Sequence, residues 1–111
     1  MDSFKGKLAV VTGGGSGMGR ELVCQLAAQG CSVAACDLNP HAVADAAATA
    51  EASAPLGVRV TSHGCDVADQ AQVLRLRDEV LDMHASDHVE LVFNNAGIGG
   101  GESFIAGRRE E

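Results

Sequence analysis

The eight residues Thr12-Gly13-Gly14-Gly15-Ser16-Gly17-Met18-Gly19 follow directly on the apolar run Leu8-Ala9-Val10-Val11. A short branched run reads as a buried parallel strand, and glycines that open a helix just after it let backbone amides approach a pyrophosphate. The spacing selects the kind of phosphate cradle. The dinucleotide pattern GxGxxG fits Gly13 to Met18 only if its last glycine is ignored, whereas Thr-Gly-x-x-x-Gly-x-Gly is matched with Gly13, Gly17 and Gly19 in place. A nucleoside-triphosphate P-loop would need Lys and Ser/Thr after the last glycine; Arg20 and Glu21 stand there instead.

A second group completes the pattern. Asp37 closes the run Ser32 to Asp37, 18 residues beyond Gly19, near the ~20-residue offset at which a carboxylate accepts the ribose hydroxyls of the adenosine half. The alternative, an ordinary loop carboxylate, is disfavoured because strand, glycine turn and acid coincide. A carboxylate there repels a 2′-phosphate, and neither Gly13 to Met18 nor Leu38-Asn39-Pro40 contains a Lys or Arg to neutralise one, so NAD is expected rather than NADP.

Other candidate residue types lead to less. His84 and His88 stand at i, i+4, but no third ligand is near in sequence, so they read as a solvated pair and no metal site is expected. Ser86-Asp87-His88 matches a hydrolase only in composition, since there is no GxSxG elbow and Gly15-Ser16-Gly17 lacks its spacing. Cys24, Cys31, Cys36 and Cys65 form no CxxC pair and read as buried small hydrophobes of a reducing compartment. Arg20 reads as a surface residue and Glu110-Glu111 as a solvated tail.

The elements that hold the glycine turn and the acid follow from periodicity. Met18, Leu22, Val23, Leu26 and Ala27 recur at helical spacing up to Gly30, and Ser32 to Asp37 reads as a second buried strand. Asn39-Pro40 is an N-cap and first-turn proline for an alanine-rich helix to about Ala54, which Pro55-Leu56-Gly57 breaks. Val58 to Cys65 is a third strand. Asp69 and Gln72 resemble a capping box for a helix to about His84, and Val89 to Phe93 is a fourth strand ending in Asn94-Asn95-Ala96-Gly97.

The order β-α-β-α-β-α-β with right-handed crossovers predicts an α/β, Rossmann-like doubly wound parallel sheet of order 3-2-1-4. Its switch point falls between strands 1 and 4, which brings Gly13 to Gly19 beside Asn94 to Gly97. Residues 1–111 make a single domain on this reading, with 98–111 a glycine-rich loop and tail. A net charge of −7 argues against nucleic acid and anionic membrane surfaces, and no apolar stretch nears the roughly 20 residues of a membrane span. Met1 to Lys7 leads into the first strand without an apolar signal region, so a cytoplasmic protein is expected.

Thr12 to Gly19, Asp66-Val67 after the third strand and Asn94-Asn95-Ala96-Gly97 after the fourth, in that order, resemble the short-chain dehydrogenase/reductase family. The resemblance runs from about Lys5 to Gly101 and covers that family's cofactor half. It implies that Gly13, Gly17 and Gly19, with Ser16 and Met18, meet the pyrophosphate, and that Asp37 holds the adenosine ribose. Asp66 and Val67 would meet the adenine, while Asn94, Ala96 and Gly97 would line the nicotinamide-side ribose. Asn95 would be structural, tying the fourth strand to its neighbours.

The resemblance implies an NAD-dependent oxidoreductase that transfers hydride between the nicotinamide and a small alcohol or carbonyl substrate, homo-oligomeric in its full-length form. The family's catalytic Tyr and Lys lie four residues apart, with a Ser upstream; this sequence contains no tyrosine. No catalytic residue is therefore assigned, and the 111-residue chain alone is expected to be inactive. A sheet truncated after the fourth strand would leave an open edge and a thinly covered face, so marginal stability and association are expected. The alternative is a non-catalytic dinucleotide-binding module, or a truncated product pairing with a longer homologue through that edge; an FAD-binding Rossmann domain is disfavoured by the glycine spacing.

Overall fold

The computed structural model describes residues 4–95. They form β1 (Leu8–Thr12), α1 (Gly17–Ala28), β2 (Ser32–Asp37), α2 (Pro40–Ala52), β3 (Val60–Gly64), α3 (Gln70–Met83) and β4 (Leu91–Asn94). All pairings are parallel and the strand order is β3-β2-β1-β4, the doubly wound arrangement expected from the sequence. The expected tail at 98–111 lies outside the described residues.

Strand alternation sorts the core into two layers. Ala9, Val11, Val33 and Ala35 face one way and pack with Val23, Leu26 and Ala27 of α1 and Val43, Ala47 and Ala50 of α2. Leu8, Val10, Ala34 and Cys36 face the other way, against Val73, Leu76 and Val80 of α3. β1 is buried along its whole length, which is why it reads as an uninterrupted apolar run. Fully buried valines such as Val10 and Val11 contribute roughly 1.5–3 kcal/mol each. Among the described residues β4 pairs only with β1, and its residues are no more than half-buried or are exposed.

Strand boundaries differ from the periodicity where turns capture backbone groups. β3 starts at Val60, because the Val58 amide donates to Pro55 O at 3.2 Å and the Arg59 amide to Ser32 Oγ at 3.1 Å. β4 starts at Leu91 rather than Val89. Asn39 caps α2 by accepting from the His41 and Ala42 amides, each at 3.1 Å. Asp69 caps α3 by accepting from Ala71 at 3.0 Å and Gln72 at 3.3 Å. The reciprocal half of the expected capping box does not form: the Asp69 amide already donates to Asp66 O at 3.0 Å, and Gln72 Oε1 instead accepts the Asp66 amide at 2.9 Å.

Candidate dinucleotide-binding site

The turn between β1 and α1 depends on its glycines for distinct reasons. Gly13 and Gly17 have φ of +68° and +57°, the left-handed region where an L side chain is strained. Gly19 is instead required by proximity: a Cβ there would overlap the Gly13 carbonyl oxygen and lie 2.7 Å from Asn95 Nδ2. At Gly17 a Cβ would meet nothing within 4 Å, so the backbone here borders open space.

α1 presents its N-terminus to that space. Its N-cap, Ser16, makes no side-chain capping hydrogen bond, whereas Asn39 and Asp69 cap the other two described helices. The first-turn amides of α1 are therefore unclaimed by a cap, and the positive end of the helix dipole faces the same opening. Ser16 and Gly17 are exposed, as is Met18 at 80%. Backbone amides, open space and no competing cap fit a diphosphate.

Asp37 lies against the same turn. Its Oδ2 accepts from the Gly15 amide at 2.8 Å and its Oδ1 from the Asn39 amide at 3.0 Å, so the half-buried carboxylate is fixed in orientation. A Cβ on Gly15 would come within 2.8 Å of Asp37 Oδ2 and 3.0 Å of Ala42 Cβ. Gly14 continues the β1–β2 ladder by donating to Cys36 O at 3.0 Å, and a Cβ there would sit 3.1 Å from Ala35 Cβ. The three-glycine pattern passes over Gly14 and Gly15; their signal in the sequence is a run of glycine longer than the pattern needs.

The remaining expected residues lie along the same carboxyl edge of the sheet. Cys65 donates its amide to Asp37 O at 3.0 Å, which links the end of β3 to the tip of β2. Asp66 and Val67 follow, both half-buried; Asp66 Oδ1 accepts from the Ala68 amide at 3.0 Å, and Val67 packs on the α3-side core. Asn94 is the register partner of Thr12, whose Oγ1 donates to Asn94 Oδ1 at 3.0 Å. Asn95 Nδ2 donates to Gly13 O at 3.4 Å, tying the end of β4 to the glycine turn. Ala96 and Gly97 lie outside the described residues.

The histidine pair is where the sequence reading needs correction. His88 is exposed, between Asp87 Oδ1 at 2.7 Å and Glu90 Oε2 at 3.0 Å. His84 is half-buried rather than fully exposed, with Nε2 on Thr61 Oγ1 at 2.8 Å, because the residue that caps the end of α3 turns in toward β3. No metal-binding cluster is present among the described residues. Three cysteines are buried and Cys24 is half-buried; burial, then the neighbouring Cys65 and Asp37, push the Cys36 thiol up to about 12, and burial foremost pushes Cys31 up to about 11. Both remain protonated at neutral pH. Arg20 reaches sideways to Asp45 and Thr49 of α2, at 2.9 and 3.3 Å.

The family model for short chain dehydrogenases matches residues 7–111. Among curated proteins, the chain is 40% identical over 98 residues to the oxidoreductase SadH of Mycobacterium tuberculosis, covering 88% of this chain and 34% of that protein. It is 37% identical over 97 residues to the D-beta-hydroxybutyrate dehydrogenase of Cupriavidus necator, covering 86% and 35%. The chain thus spans about a third of the length of these relatives. Among solved structures, a short chain dehydrogenase/reductase from Burkholderia phymatum in complex with NAD superposes with a TM-score of 0.77 at 38% identity, covering 89% of this chain and 34% of that one.

Proposed function

We propose that this chain, which belongs to the short chain dehydrogenase family, supplies the coenzyme site of an NAD-linked oxidoreductase acting on a small alcohol or carbonyl compound. In that role Gly13, Gly17 and Gly19, with Ser16 and Met18, cradle the diphosphate, and Asp37 accepts the hydroxyls of the adenosine ribose. Asp66 and Val67 meet the adenine, and Asn94, Ala96 and Gly97 meet the ribose next to the nicotinamide. The nicotinamide, when bound, gives or takes the hydride. The residues of this chain bind and orient it, and the proton transfer is assigned to none of them.

The observation that carries this reading is the pairing of an uncapped, glycine-lined N-terminus of α1 with a carboxylate fixed beside it at the tip of β2. The first suits a diphosphate. The second favours NAD: a 2′-phosphate would meet the Asp37 carboxylate, and Arg20, on the first turn of α1, is engaged with Asp45 and Thr49. Calorimetric titration with NAD and NADP tests it. NAD should bind the wild type more tightly, and Asp37→Ala should lose about 10- to 100-fold in NAD affinity, the loss of a hydrogen-bonded charged group, with NADP little affected. Tighter binding of NADP by the wild type would overturn the proposal.

A further inference from the structure

Beneath the α3-side layer runs a row of polar groups that the coenzyme site does not use. Thr61 and His63 project from the same face of β3 and are 8% and 3% exposed. Thr61 Oγ1 lies 2.8 Å from His63 Nε2 and 2.8 Å from His84 Nε2, and His63 Nδ1 lies 2.8 Å from Glu79 Oε1. His84 also lines a cavity of about 420 Å³ at the opposite end of the sheet from the glycine turn, together with Lys7, Arg59, His88 and Glu90.

Donor counting constrains the protons. An ionised Glu79 only accepts, so His63 carries hydrogen on Nδ1. With both imidazoles neutral, His63 Nε2 is then an acceptor, the Thr61 hydroxyl donates to it, and His84 Nε2–H donates to Thr61 Oγ1. One further proton can be held with every link kept, either on His84 Nδ1, which charges His84, or on His63 beside Glu79, which requires the row to reverse. His63 Nε2–H then donates to Thr61, and the Thr61 hydroxyl donates to a bare His84 Nε2.

We propose that His84, Thr61, His63 and Glu79 form a proton wire, in which a proton arriving from the cavity converts His84 from its Nε2–H to its Nδ1–H tautomer and charges His63 beside Glu79. The entering proton bonds to His84 Nδ1, His84 Nε2 gives its proton to Thr61 Oγ1, and Thr61 passes its own to His63 Nε2. The total rises by one proton, and the charge rests on the imidazole that has a carboxylate partner. His84 stays neutral throughout, yet its Nε2, which donated a hydrogen bond before the event, accepts one after it. β3 and α3 remain tied in both states.

The surroundings fit this division. Burial, then the charges of His63 and Arg59, push the His84 imidazole down to about 4, with Glu51 of α2 opposing weakly. Arg59 donates to Met83 O at 2.7 Å and Glu51 accepts the Val60 amide at 3.2 Å, so both are held in place. Cys36, the register partner of His63 on β2, and Cys65, two residues on, are both raised by burial and stay as neutral thiols. Across the cavity His88 is shared by Asp87 and Glu90.

Long-range proton–nitrogen NMR of the imidazoles in the full chain, from pH 8 to pH 5, reads the tautomers directly. At pH 8 His63 should carry Nδ1–H and His84 Nε2–H; on acidification His84 should switch to Nδ1–H with the same midpoint at which His63 becomes charged. Glu79→Gln, at a side chain 55% exposed, should move both events together to lower pH by about one unit or more. Thr61→Val should uncouple them and Thr61→Ser should restore the coupling. A His84 tautomer that stays fixed while His63 charges, or two midpoints that move separately in Glu79→Gln, overturns the proposal even if Thr61→Val does not fold.

Discussion

At the scale of single residues, the site rests on places where a side chain has no room. Gly15 is the sharpest case, because its amide holds Asp37 Oδ2 at 2.8 Å and a Cβ would intrude to the same distance. Gly15→Ala should therefore push the carboxylate out of line and weaken NAD binding by about 10-fold, the scale of one charge-assisted hydrogen bond. Titration calorimetry with the variant checks this, and circular dichroism shows whether the fold is kept. The places of Gly13, Gly17 and Gly19 in the turn and of Asp37 at the strand tip were legible in the sequence because their spacing follows from backbone geometry. Gly15 was not: its constraint comes from an aspartate 22 residues away and from Ala42 on α2, neither visible in the local string.

At the scale of elements, α3 is joined to β3 by polar ties as well as by Val73, Leu76 and Val80. One tie makes a pH dependence. Burial foremost pushes the His84 imidazole down to about 4 in the fold against an ordinary 6.5, so between those values this imidazole is charged in the unfolded chain and neutral in the folded one. The stability His84 contributes is complete above about pH 6.5 and is lost as pH falls toward 4, on the order of 2 kcal/mol for a half-buried group. Denaturant titrations at pH 7 and pH 4.5 should register that loss, and His84→Gln should flatten it. Helical spacing located α3 correctly within a residue or two at each end. It gave no sign that the capping histidine turns inward, since an exposed and an inward side chain look alike at a helix end.

For the molecule as a whole, two helices cover one face of the sheet and α3 covers the other, with the carboxyl ends of four parallel strands left along one edge. Every residue proposed to touch the coenzyme that lies in the described region stands on that edge, on five different elements or their junctions. Binding should therefore brace the fold as a unit: NAD at 100 times its dissociation constant should add about 2.7 kcal/mol. Scanning calorimetry should show a rise in Tm with NAD that Asp37→Ala reduces at the same concentration. A rise unchanged by that substitution would place the dinucleotide elsewhere.

The string of residues by itself determined the element order, the parallel sheet of order 3-2-1-4 and the glycine turn, because periodicity, capping residues and crossover handedness are local or topological constraints. It also placed Asp37 at a strand tip, since strand length and the position of Gly19 determine that. Only the tertiary structure decided that Asp37 is clamped by Gly15 and Asn39, that Gln72 Oε1 accepts the Asp66 amide rather than the Asp69 amide, and that His84 meets His63 through Thr61. Those contacts join residues from 2 to 23 positions apart in the chain, and a hydrogen bond is chosen by which donors and acceptors remain free once the elements have packed.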